Sequence, residues 1–160
     1  MKPLAIFLVI LVLAAVIGIG YLYFTSNLTV TFSSCIVTDP VTQTDAFEQL
    51  KSSLEMDTFV GTRFGSDLPG SPESYLFYTW TVHLENHSFL PADTIEIQIT
   101  PMTGDMLLYG NASEKTLAAH NVTDLSATVL TSREMHSVRE AILTWYIWGL
   151  PFSARLTLGK

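Results

Sequence analysis

One cysteine and eight lysines and arginines in 160 residues are the scarcities that first constrain this chain. A lone Cys35 excludes an intramolecular disulfide framework. Fifteen acidic residues outnumber the basic ones and leave a formal net charge of −7, a balance that argues against nucleic acid and anionic headgroups as partners. No G-x-G-x-x-G, P-loop, D-x-D-x-D-G or G-x-S-x-G pattern occurs. Phosphate cradles, calcium loops and serine-hydrolase chemistry therefore have no motif behind them, and no cofactor is expected. Internal repeats and low-complexity segments are also lacking.

Charge is missing altogether from Leu4 to Phe24 (LAIFLVILVLAAVIGIGYLYF). At 1.5 Å rise per residue a helix of that length crosses roughly 30 Å of hydrocarbon. A cleaved secretory signal is the main rival, but its apolar core usually runs about 7–15 residues and ends in an A-x-A-like triplet. Here Gly18-Ile19-Gly20 is followed by the bulky Tyr21, Tyr23 and Phe24. Cys35, after Phe32-Ser33-Ser34, lies too far beyond the run for lipidation. An uncleaved signal-anchor is the reading. Lys2 precedes the run, and no Lys or Arg follows it until Lys51, so the N-terminus is expected in the cytoplasm and the remainder outside. The expected organisation is a cytoplasmic stub (1–3), a transmembrane helix (4–24) in the lipid bilayer of the cell membrane, and one extracytoplasmic domain (25–160). All fifteen acidic residues fall in that domain against seven basic ones, a formal −8.

Beyond the anchor the pattern is mainly β. Leu28 to Val37 is β-branched and aromatic, and Asp39-Pro40 ends it. Phe47, Leu50 and Leu54 then recur at helical spacing within Thr44–Glu55, with Thr44 or Asp45 as N-cap. Met56–Gly61 reads as a short strand and Gly65 to Pro72 as a mobile loop. In Tyr75–Glu85, Phe77 or Tyr78 starts an inward set continued by Trp80, Val82 and Leu84; Ile95, Ile97 and Ile99 do the same in Thr94–Thr100. Shorter strands are expected at Met106–Tyr109, Thr116–Ala119 and Leu125–Leu130. Val138–Trp148 and Phe152–Leu158 form a last hairpin turning at Gly149-Leu150-Pro151. Many short strands separated by turn residues imply one antiparallel sandwich with one short amphipathic helix.

The strand ending in Leu84-Glu85-Asn86, the loop with Phe89 and Pro91, and the alternating strand Ile95–Ile99 resemble the late-embryogenesis-abundant, water-stress type of immunoglobulin-like domain. That resemblance implies an immunoglobulin-like β-sandwich with a non-enzymatic role, and carries no site residue with it.

Three groups of residues are candidates for chemistry or binding. His83, Glu85 and His87 would share one strand face and are the candidate metal ligands. Alternate side chains on a strand start roughly 6.6 Å apart, however, so three in a row do not easily converge on one ion. The apolar segment Thr144-Trp145-Tyr146-Ile147-Trp148 fits a central strand covered on both faces, with the Phe47 helix as one cover. Its alternative exposes Tyr146 and Trp148 as a platform for a sugar, a peptide or the membrane surface. Asn27, Asn86, Asn111 and Asn121 each open an N-x-S/T sequon, and Asn86, Asn111 and Asn121 are the glycosylation candidates, Asn27 being too near the bilayer. Cys35 reads as a small buried hydrophobe or as an intermolecular thiol.

The composite expectation is a single-pass membrane protein presenting a non-enzymatic β-sandwich as a binding or envelope-structural module, with an envelope or surface protein or a glycan as partner. The alternatives are a pilin-like surface subunit, against which the missing processing glycine and buried glutamate speak, and a tethered metal-dependent hydrolase.

Overall fold

A computed structural model describes residues 2–25, 27–65, 69–108 and 112–159. Helix α1 (Lys2–Thr25) takes up the apolar run, 24 residues with neither an acidic first turn nor a basic last turn. Its mean hydropathy is 2.9, and none of its most apolar window is buried against the protein. Length and composition suit a membrane crossing, and apolar residues all round the helix leave it no polar face for water. At its C-terminal end the Thr25 hydroxyl donates to the carbonyl of Tyr21 at 2.8 Å, satisfying one of the acceptors a helix leaves open.

After Asn27 the chain becomes β1 (Leu28–Thr38), followed by α2 (Thr44–Glu55), β2 (Gly61–Arg63), β3 (Tyr75–Asn86), β4 (Ala92–Ile99), β5 (Met106–Leu108), β6 (Ser113–Leu117), β7 (Val122–Ser132), β8 (Arg139–Ile147) and β9 (Leu150–Leu158). They form two antiparallel sheets, ordered β1-β3-β7-β5-β2 and β6-β4-β8-β9. The inward alternation of β3 (Tyr78, Trp80, Val82, Leu84) and β7 (Leu125, Ala127, Val129) meets that of β4 (Ile95, Ile97, Ile99) and β8 (Ala141, Leu143, Trp145, Ile147) in one core. No residue of α1 belongs to that buried core.

A second, smaller core lies on the opposite face of the first sheet. Phe47, Leu50 and Leu54 of α2 pack there on Phe77, Met106 and Leu130. Phe77 and Tyr78 are thus both buried, on opposite faces of one strand, where the sequence pattern offered a choice between them. The position of α2 also corrects one expectation: the helix covers β3 and β7 and not Thr144–Trp148. Its N-cap is Gln43, without a side-chain bond, instead of Thr44 or Asp45. A 3-10 turn, Pro40–Gln43, leads into α2 and takes the capping bond itself, Val41 N donating to Asp39 Oδ1 at 3.0 Å. The short strand expected at Met56–Gly61 begins only at Gly61, and β6 starts at Ser113 instead of Thr116. The loop expected across Gly65–Pro72 lies partly outside the described residues.

Register fixes which loops share an end. Leu28 pairs with Asn86, Glu85 with Val122, Ala92 with Leu117 and Ile147 with Leu150. The 86–92 loop, the 118–121 corner and the β8–β9 turn therefore gather at the end of the sandwich where α1 leaves it. The other end holds α2 and a buried pair, Arg139 Nη2 to Asp105 Oδ1 at 3.5 Å, with side chains at most 1% exposed.

Candidate functional site at the helix end of the sandwich

The β8–β9 turn is tighter than the sequence implied. It consists of Trp148 and Gly149, with Ile147 facing Leu150 across it, so Trp148 leaves the strand and Leu150-Pro151 enter β9. Pro151 is tolerated because β9 is an edge strand. Both turn residues have positive φ, +52° at Trp148 and +75° at Gly149, the signature of a two-residue I′-type hairpin. Glycine suits its place; tryptophan does not, since a bulky side chain in the left-handed region is strained by about 1–2 kcal/mol.

Tyr146 and Trp148 consequently separate. Tyr146 stays on the outer face of the second sheet, 40% exposed. It borders a shallow groove of about 480 Å³ together with Glu96, Gln98 and Thr144. Trp148, 63% exposed, turns instead toward α1. There Ile19, Leu22 and Tyr23 share one apolar seam with Ile147, Trp148 and Leu150. A run of rings ties the seam to the core: Tyr23 meets Phe152 at 5.2 Å between centroids, and Phe152 stacks on the buried Trp145 at 5.8 Å. The reading of this segment as a strand covered on both faces is thereby corrected, because Trp145 and Ile147 are buried while Tyr146 and Trp148 are not.

Asn86 organises the neighbouring loop. Wholly buried, it donates from Nδ2 to the carbonyls of Leu90, Leu117 and Ala118 at 2.9, 3.2 and 3.2 Å. Its Oδ1 accepts from the Ser88 amide and hydroxyl at 3.0 and 2.6 Å. One side chain thus fastens β3, the 86–92 loop and the corner after β6. Phe89 is left 65% exposed, its ring edge-on to His120 at 5.3 Å. Nδ2 is the atom a glycan would occupy, and in this fold it has no path to solvent. Asn121 is exposed, on the 118–121 corner. Asn111 lies outside the described residues.

The candidate metal ligands disperse into pairs. His83 Nδ1 lies 2.5 Å from Asp124 Oδ1 on β7 and stacks under Phe32 at 4.9 Å; His87 Nδ1 is 3.6 Å from Glu85 Oε1. Among the described residues no three His, Cys, Asp or Glu side chains form a group able to hold a metal ion. Sequence reasoning missed Asp124 as the partner of His83 because it lies 41 positions away, across a strand pair that alternation alone does not align. Cys35 is half-buried against the core, and burial pushes its thiol pKa up, which lowers the thiolate fraction at neutral pH.

The chain matches no protein-family model, and no curated protein is significantly similar to it.

Proposed function

We propose that this chain is a single-pass membrane protein, its N-terminus in the cytoplasm, that holds an immunoglobulin-like sandwich of the water-stress type at the outer face as a non-enzymatic binding module. The observation that carries the reading is α1 itself: 24 residues, almost fully apolar and contributing nothing to either core, joined to β1 by two residues. A helix of that kind has no way to bury its surface within the protein, and lipid is the solvent that suits it. Lys2 before the span and the lack of any Lys or Arg after it until Lys51 support the outward orientation. The partner-facing surface is the groove beside Tyr146, where a half-exposed ring lies next to hydroxyl, amide and carboxylate groups suited to a sugar or a polar peptide of an envelope protein. The test is alkaline extraction of membranes combined with intact mass. Retention of a full-length chain in the pellet is expected; a soluble product beginning near Thr25 contradicts the reading.

A further inference from the structure

We propose that the helix end of the sandwich is a membrane-seating surface, with Trp148, Leu150 and Phe89 entering the interfacial layer of the leaflet from which α1 emerges. The inference rests on α1 spanning the bilayer and goes beyond it, because a tethered domain need not touch its membrane.

Three observations place the surface at that depth. The first is level. Ile19 and Tyr23 share a seam with Trp148 and Leu150, and Ile19 lies six residues before the end of the helix, about 9 Å lower along its axis. The span Pro3–Thr25 has 23 residues. At 1.5 Å each it measures about 34 Å against roughly 30 Å of hydrocarbon, so little can be raised clear of the bilayer. Side chains alongside Ile19–Tyr23 therefore reach the headgroup boundary.

The second observation is composition. Segments 86–92, 118–121 and 147–151, which form this end, contain no Asp, Glu, Lys or Arg, although the chain has fifteen acidic residues. They expose Phe89 and Trp148 at 65% and 63% and Leu150 at 46%. The Trp148 indole, apolar with one N–H at its edge, beside the purely apolar Phe89 and Leu150 matches the interfacial belt of membrane proteins, and charge left there would have to be desolvated. Tyr21 and Tyr23 of α1 fall at the same level, so belt and turn are continuous. The third observation is strain. A tryptophan occupies the first position of a two-residue turn at φ +52°, where asparagine or glycine is relaxed. Solvent alone gives no return for that cost; burial of the indole in the interface does.

The full chain reconstituted in phosphatidylcholine vesicles tests this by tryptophan fluorescence, using lipids brominated near the headgroup or near the chain ends. Trp80 and Trp145 are buried, so Trp148 is the tryptophan within reach of the lipid. Shallow bromines are expected to remove most of the Trp148 emission and deep ones little. Trp148→Phe should abolish the difference, and Leu150→Trp added to that variant should restore it. Trp148 emission unaffected by either lipid overturns the proposal. Aqueous acrylamide would then separate a water-facing turn from one covered by a second copy of the chain. Flotation of the same vesicles keeps the two claims apart: protein that fails to float refutes the anchor, and protein that floats unquenched refutes only the seating.

Discussion

At the scale of single residues, Asn86 and Trp148 show opposite relations between sequence and stability. Asn86 satisfies five hydrogen-bonding groups in a fully buried setting. Its removal leaves the buried Ser88 amide without its acceptor and the Leu117 carbonyl without its side-chain donor, while the Leu90 and Ala118 carbonyls keep the Ser88 hydroxyl and the Asn121 amide. Each unmet buried partner costs about 1–3 kcal/mol when water cannot replace it. Asn86→Ala is expected to lose about 3 kcal/mol in denaturant melts, and Asn86→Asp no less, because a carboxylate cannot donate. An unchanged midpoint would mean that the bracket is incidental. Trp148→Asn should act the other way. In the sandwich freed of α1, asparagine at φ +52° relieves the turn and is expected to raise stability by about 1 kcal/mol. A loss of stability there would show that Trp148 packs on the domain rather than facing outward. Neither effect was legible beforehand. Asn86 read as a sequon, and Gly149-Leu150-Pro151 offered stronger turn chemistry than a tryptophan, whose placement in a turn only the strand register reveals.

At the scale of elements, α2 and the first sheet depend on each other. The helix spans Thr44–Glu55, where helical periodicity placed it, since Phe47, Leu50 and Leu54 leave no other face to bury. What it covers was not readable, because alternation in β3 fits one buried face and Phe77 serves a second. Phe47 is completely buried, and Phe47→Ala is expected to cost about 3–5 kcal/mol and to loosen β5 and β2 before the main core, as amide exchange by segment would show. A surface link joins the entry to α2 with the end of β7: Arg133 Nη2 contacts Asp39 Oδ2 at 2.8 Å. That hydrogen bond, with the Val41 amide second, holds the Asp39 carboxyl below its usual pKa. A folded-state pKa below the unfolded one stabilises the fold above the unfolded value, about 4, and the contribution disappears as pH falls through the lowered one. Asp39→Asn, which keeps the cap to Val41, should therefore be less stable than wild type at neutral pH and converge with it in acid. A gap of constant size at all pH values would assign the effect to something other than charge.

At the scale of the whole molecule, α1 and the sandwich differ in what they leave exposed: the helix is apolar and unburied along its length, whereas the sandwich closes over its own cores. Two antiparallel sheets and two cores assemble from residues after Asn27, and the sandwich is expected to fold without α1. The long apolar helix, the β class and most strands were legible because apolar length and alternation are local signals. The pairing of His83 with Asp124, the parting of Tyr146 from Trp148 and the seam against Ile19–Tyr23 depend on contacts distant in sequence, to which local pattern is blind. The central claim, that α1 fixes the sandwich outside the cell, is tested most directly by protease added to intact cells that express the chain with a C-terminal tag. Loss of the tag from a chain whose remaining fragment stays in the membrane is the expected result; a tag protected until the cells are lysed would place the domain inside and contradict the account.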